Sequence, residues 1–295
     1  VMIGRLGETE IAAVGLANQF FLLFILLING IHSGCSVFIA QFWGQGEKES
    51  IRNVLAVALL AAVLVSLLFT VIALFYPEGI VQIFNKDPQV IREGAVYLKV
   101  VSLSYVFTAV SFGFAMASRS IGNTLLPMVV SALALGCNTF LNYVLIFGHF
   151  GAPQLGVEGA AIATTAARII EMLVLITIIY LRSEVLRVRL GDLREISAVY
   201  VGRIFKTVLP VILNEGCWAL GFIVYSVAYG RISTQAFAAV QITNTIQNLF
   251  TVAIYGMASA AAVMVGHKIG EGNEEEGANY AWRFSALAWL GGLFT

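Results

Sequence analysis

From Ile11 to Phe42, and again from Ile232 to Gly266, the chain contains no charged residue. A helix of about 20 apolar residues already crosses the hydrocarbon core of a bilayer. Runs of this length leave the backbone no water to bond, so each segment must satisfy its own N–H and C=O groups, which a helix does. Neither run shows the strict alternation of a half-buried strand, and the strands of a membrane barrel would be about half as long. Eight such stretches follow one another: Ile11–Ala40, Asn53–Tyr76, Gly94–Ser118, Thr124–Phe147, Val157–Leu181, Ile204–Tyr229, Thr234–Gly266 and Ala278–Thr295. Only 12% of the 295 residues are charged. A soluble domain carries about 25%, because its surface faces water.

The charges balance at 17 against 17, so no global field draws the chain to nucleic acid. Positive charge is nevertheless unevenly shared between the two sets of loops. One set carries Lys48, Arg52, Arg119, Arg182, Arg187, Arg189, Arg194, Arg203, Lys206, Lys268 and Arg283, and the other only Arg5, Lys86, Arg92 and Arg231. The positive-inside rule places the first set in the cytoplasm. Its longest link, Arg182 to Lys206, alternates apolar residues with basic ones and is expected to lie along the membrane surface.

A repeat organises the chain. GRLGETEIAAVGLANQ and its continuation over 4–49 align without a gap to GRISTQAFAAVQITNT and its continuation over 230–275, at an offset of 226 residues. Polar and glycine positions match as well as apolar ones: Arg5 with Arg231, Asn18 with Asn244, Gly44 with Gly270, Gly46 with Gly272 and Glu49 with Glu275. Six spans separate the copies, an even number, so both face the same way across the membrane and form a parallel repeat. The expectation is an all-α polytopic bundle of two six-helix lobes, the second incomplete here. Residues 1–190 form the N-terminal lobe, lacking its first helix; 191–203 form a cytoplasmic amphipathic linker; 204–295 begin the C-terminal lobe. By the same repeat, about one helix precedes Val1 and about 134 residues follow Thr295.

Ionisable groups inside spans are costly and mark candidate pathways. Glu215 lies beside Asn214 and shortly after Pro210, which removes a backbone bond and bends a helix. A carboxylate there can bind a proton or sodium ion or pair with a cationic substrate; it can also be a hydrogen-bonded interfacial residue. Arg168 and Glu171, three apart, can neutralise each other as a structural ion pair. Asn138 and Asn142, four apart, line a hydrated cavity or bond across helices. Gln241, Asn244, Gln247 and Asn248 make a polar stripe with the same two readings.

Enzyme signatures are absent from the sequence. The three histidines form no HExxH, and there is no GxxxxGK[ST]. GQGEKE and GEGNEE are G-x-G sequences that read as helix stops rather than phosphate loops. Cys35, Cys137 and Cys217 lie far apart in apolar runs and read as free, small core residues. No metal and no cofactor is expected.

AAVGLANQ with AQFWGQGEKE, their second copies AAVQITNT and VGHKIGEGNEE, and NTFLNYVLIFGHFGAPQLGVEGAAIATTAARIIE together resemble the multidrug and toxic compound extrusion (MATE) family. The resemblance spans essentially the whole chain. It implies twelve helices, two lobes meeting at a central cleft, and export of small organic cations from the cell by antiport against sodium or protons, from a plasma or inner membrane, as a monomer. The family's N-lobe ion site uses a first-helix aspartate, which lies outside this chain. It also uses a fifth-helix asparagine followed four residues later by an aspartate. Asn138 matches the asparagine, but Asn142 stands at the aspartate's position, where an amide takes up no proton. Thr164 in GAAIAT matches the sixth-helix threonine, with Thr165 as the neighbouring alternative, and Glu215 lies on the helix that carries a C-lobe ion ligand in some members. Two other readings remain: a flippase for a lipid-linked precursor, which favours a strongly cationic central cavity, and a non-transporting membrane protein.

The charge count generates a direct test. Green fluorescent protein fused after Arg189 is expected to fluoresce, as cytoplasmic fusions do, while alkaline phosphatase fused after Gly151 is expected to be active outside. The reverse pattern overturns the orientation.

Overall fold

A computed structural model of the chain describes residues 7–189, 198–232 and 234–292. The side chains of residue 8, 198–200, 203, 219, 222–223, 226–232, 234–250 and 253 are excepted. Ten α-helices account for nearly all of the described residues: α1 (Glu8–Gln45), α2 (Lys48–Phe75), α3 (Pro77–Phe84), α4 (Pro88–Ser102), α5 (Ser104–Ser120), α6 (Leu125–Phe147), α7 (Gly156–Arg182), α8 (Ala198–Ile232), α9 (Thr234–Gly270) and α10 (Glu274–Gly292). The described part of each of the eight apolar stretches is helical, with one break in the third. Among the described residues, four helices, α1, α2, α6 and α7, are long and apolar enough to cross a membrane, and the α4–α5 pair makes a fifth crossing if taken as one span.

That pair corrects one expectation. Gly94–Ser118 is not one straight helix but is bent by 47° where α4 gives way to α5. The cause is a run of hydroxyls that bond back to the chain. Ser102 Oγ donates to the Lys99 carbonyl, Ser104 Oγ to Val101 and Thr108 Oγ1 to Ser104. Such bonds compete with the helix ladder and bend it. Thr70 Oγ1 of α2 donates to the Ser102 carbonyl at 3.0 Å, satisfying an acceptor at the break from a neighbouring helix.

Helix ends follow the repeat. Gly46 terminates α1 with φ 75°, its N–H donating to Phe42 and Trp43 carbonyls. Its repeat partner Gly272 follows α9 with φ 78°. Left-handed backbone at a helix stop suits glycine, and both G-x-G sequences are spent on it.

Helix α2 shows how burial is divided. Leu55, Ala58, Ala62, Ser66 and Ala73 face the protein, while Leu60, Leu64, Leu67, Leu68 and Val71 are exposed on the opposite side. Leucines cost nothing against lipid, so this outward face needs no protein partner. Inside, two apolar clusters follow one another along α1. One joins Phe24, Ile28, Tyr97, Tyr105 and Ile146, with Phe24 and Tyr105 stacked 4.6 Å apart. The other joins Cys35, Ile39, Leu55, Phe114, Leu175, Ile179, Ile204 and Val208.

The second cluster also contains Val185 and Leu186, both buried. The described start of the Arg182–Lys206 link therefore tucks apolar side chains into the protein instead of onto the membrane surface; residues 190–197 lie outside the described residues. Of the cysteines, all free, Cys35 is a core residue as expected, whereas Cys137 is half-buried and Cys217 exposed. Cys217 sits among other exposed residues of α8, Trp218 and Leu220.

The two repeat copies meet each other at the C-terminal ends of α1 and α9. A Cβ at Gly44 would strike the His267 carbonyl, and one at Gly270 would strike the Gln41 carbonyl. Gly44 and Gly270 are repeat equivalents, as are Ala40 and Gly266, whose Cβ position is also occupied by its partner. The crossing of α1 and α9 thus rests on small residues that let two backbones touch. His267 Nε2 lies 2.7 Å from the Ser120 carbonyl at the end of α5, tying the same end of α9 to a third helix.

Gly270→Val in the full-length protein is expected to destabilise it by about 1–3 kcal/mol through overpacking against backbone. Gly256→Ala, where a Cβ meets open space in the same helix, is expected to be neutral or stabilising by about 0.5–1 kcal/mol. Thermal unfolding in detergent measures both.

Candidate functional site: a polar cavity between two antiparallel helices

Helices α6 and α7 form a hairpin closed by the glycine-rich turn 148–155. The turn is tight: Gly148 has φ 73°, and Leu155 N–H donates to the Leu145 carbonyl at 3.0 Å. Just beyond it, a Cβ at Gly159 would lie 2.6 Å from the Leu145 carbonyl oxygen, so only glycine admits the close approach there. Farther from the turn the helices face each other through Ala134 and Ala167, and these small side chains leave space between them. A cavity of about 250 Å³ results, lined by Ser131, Ala134, Leu135, Asn138, Thr164, Ala167, Arg168 and Glu171.

Two sets of polar contacts cross this hairpin. Nearer the turn, Asn142 Nδ2 donates to Asn138 Oδ1 at 2.9 Å, and Asn138 Nδ2 donates to Thr164 Oγ1 at 3.4 Å. Thr164 passes its own proton to the Ala160 carbonyl at 2.9 Å. The Asn142 Oδ1 atom is buried without a hydrogen-bond partner, an open acceptor at the end of the chain. Seven residues along each helix, Ser131 Oγ donates to Glu171 Oε1 at 2.8 Å. Arg168 Nη1 donates to Glu171 Oε2 at 2.7 Å. Seven residues are two helical turns, so both contacts fall on the same faces of the same helices.

The structure separates the two candidate threonines. Thr164 turns toward Asn138, whereas Thr165 Oγ1 donates to the Val100 carbonyl of α4 at 3.2 Å. The Arg168–Glu171 ion pair expected from spacing forms, and the two partners are unequal. The Glu171 side chain is only 8% exposed, while that of Arg168 is 41% exposed. Spacing also gave Asn138 and Asn142 two readings, and the geometry serves both: their amides bond within the hairpin, and Asn138 lines the cavity. Sequence reasoning passed over Ser131, although it lies seven residues before Asn138 and so on the same face.

Other expected residues stand elsewhere. Glu215 is half-buried and Asn214 exposed on α8, and neither lines the α6–α7 cavity. That helix carries Pro210 in its interior, as the sequence anticipated. It packs on α1 where Ile212 meets Gly30 and Val208 meets Gly34. Gln241, Asn244, Gln247 and Asn248 belong to the backbone of α9, and their side chains lie outside the described residues. Among the described residues, no group of three or more His, Cys, Asp and Glu side chains is arranged to hold a metal ion.

A buried ion pair loses more when one partner is removed than when both are. Arg168→Leu is expected to destabilise the full-length protein by about 2 kcal/mol, and the Arg168→Leu/Glu171→Leu double variant by much less. A double variant as unstable as the single one would show that the pair contributes through its side-chain volume, not its charge.

Comparison with known proteins adds an independent line. The model of the MatE family matches residues 1–144 and 210–295. The probable multidrug resistance protein NorM of Bradyrhizobium diazoefficiens is 31% identical over 278 residues, covering 91% of this chain and 58% of the relative. That of Thermotoga maritima is 26% identical over 275 residues, covering 92% of this chain and 58% of the relative. The chain therefore spans about three-fifths of the length of these curated relatives. The solved outward-facing conformation of a multidrug resistance MATE family transporter of the MOP superfamily has the same fold, with a TM-score of 0.84 and 22% identity. It covers 98% of this chain and 64% of that one.

Proposed function

The chain belongs to the MatE family, and from that premise we propose that the full-length protein exports small organic cations by antiport against protons or sodium ions. The membrane setting is not in question: the chain is a multi-pass membrane protein of a transporter family, not an enzyme. The observation that carries the rest is the cavity between α6 and α7. Within the α6–α7 hairpin, two hydroxyls, an amide, a guanidinium and a carboxylate converge on one space of about 250 Å³. Intramembrane polar groups are expensive and cluster where ions or substrates pass.

Exchange follows from differential affinity. A coupling ion and an organic cation that cannot occupy the lobes together each favour a different arrangement of them, and binding of one shifts the equilibrium against the other. The contact between α1 and α9 supports this reading, because it joins the two repeat copies through small residues, Ala40, Gly44, Gly266 and Gly270. Asn138 and Thr164 would orient the bound species, and Glu215 on α8 would act from the second lobe. We read the transporter as a monomer in the plasma or inner membrane, with each lobe contributing one side of the path.

The test is export of the fluorescent cation ethidium from cells carrying the full-length protein, under separately imposed sodium and proton gradients. One gradient is expected to drive export, and Asn138→Ala to reduce the rate by at least about tenfold, equivalent to about 1.4 kcal/mol. If neither gradient drives export and Glu215→Gln changes nothing, antiport is wrong.

A further inference from the structure

Position 142 holds an amide where the resemblance calls for an acid, yet the cavity contains a carboxylate. Glu171 lies two turns from Asn138 along the same lining, with both of its oxygens engaged. We propose that Glu171 is the proton-binding group of this lobe, with Arg168 as a resident counter-cation that the proton displaces. The inference rests on the exchange reading above and identifies the residue through which it works.

Three observations support it. First, Glu171 is the sole acid lining the cavity, and Arg168 is the sole other charge there; Ser131, Ala134, Leu135, Asn138, Thr164 and Ala167 are neutral. Second, the elements packed against α7 bring no competing charge to it. Helix α6 carries only Cys137 and Tyr143 as titratable groups, α5 carries Tyr105 and Arg119, and α4 carries Arg92, Glu93, Tyr97 and Lys99, and none of these lines the cavity. Third, the pair is asymmetric: the carboxylate is buried and the guanidinium reaches outward, so Arg168 can leave while Glu171 stays.

The same geometry selects a proton over a metal cation. Arg168 Nη1 stands 2.7 Å from Oε2, where a bound cation would sit. A hard metal ion would need the guanidinium moved and several oxygens gathered around it. A proton needs one lone pair. When it arrives, an O–H bond forms on Glu171, the Arg168 hydrogen bond to that oxygen is lost, and the pair passes from neutral to a net charge of +1. The guanidinium charge is then uncompensated beside Asn138 and Thr164, and it repels an organic cation from that end of the cavity. By linkage, a bound organic cation expels the proton in turn.

Infrared difference spectroscopy on the full-length protein, acidified in steps, reads the carboxyl directly. Beyond the bands of the other carboxyls, one protonated-acid C=O component is expected in the wild type, retained in Glu171→Asp and Arg168→Gln, and lost in Glu171→Gln. A band unchanged in Glu171→Gln, or no band in the wild type, overturns the assignment. In weakly buffered detergent solution, ethidium binding is expected to release about one proton per cation from the wild type and none from Glu171→Gln. That variant should bind ethidium about tenfold more weakly and independently of pH, since its guanidinium is permanently uncompensated. Wild-type proton release from Glu171→Gln likewise overturns the proposal. If the band behaves as expected but no gradient drives ethidium export, the exchange reading fails and the proton site stands.

Discussion

Hydrocarbon offers no hydrogen bonds, and that one deficiency shapes the whole molecule. It forces the backbone into helices, leaves leucines free to face outward, and obliges every polar side chain in a span to find its partner within the protein. The bend between α4 and α5 shows the rule at work on a small scale. Ser102, Ser104 and Thr108 bond to nearby carbonyls, the ladder is disturbed, and Thr70 of α2 supplies a bond at the break. The α6–α7 hairpin shows it on a larger one. Its amides, hydroxyls and ion pair are held together because lipid rejects each of them singly.

Under that rule, helices associate best through contacts that leave no polar group exposed to lipid. Backbone touching backbone through glycine meets the requirement, because small residues associate by van der Waals contact and expose nothing costly on parting. Gly44 and Gly270 make such a contact, and the repeat explains why they lie opposite each other. Two copies of one helix end, related by a pseudo-twofold along the membrane normal, necessarily present the same residue to each other at the axis.

Much of this was legible in the sequence because length and charge are one-dimensional signals. Helix positions followed from uncharged runs, the glycine stops from Gly46 and Gly272, and the Arg168–Glu171 pair from a spacing of three. What escaped depended on neighbours far apart in the chain. The α4–α5 break is invisible in an apolar window, since serine bonding back to its own helix looks like serine facing another. Val185 and Leu186 read as a membrane-facing stripe because amphipathicity reports an apolar side but not what covers it. Thr164 and Thr165 were distinguishable only once α4 had placed the Val100 carbonyl beside one of them. The role of Ser131 required the register of α6 against α7, which a single helix does not encode.

Register also bears on the missing acid. Because α6 and α7 run antiparallel with small residues between them, a polar group can move by two turns on one helix and still face the same cavity, opposite a new partner. Between Asn142 and Glu171 the polar group changes helix as well, from α6 to α7. Glu171 faces Ser131, eleven residues from Asn142 along α6, and so lies roughly 16 Å farther from the 148–155 turn. At the outer position a lone carboxylate would have amides for company. At the inner one it has Ser131 and Arg168, each bonded to one of its oxygens. A site that is neutral when unprotonated and cationic when protonated differs from a bare carboxylate in sign but not in step: each changes by one unit, which is all that exchange against a cation requires.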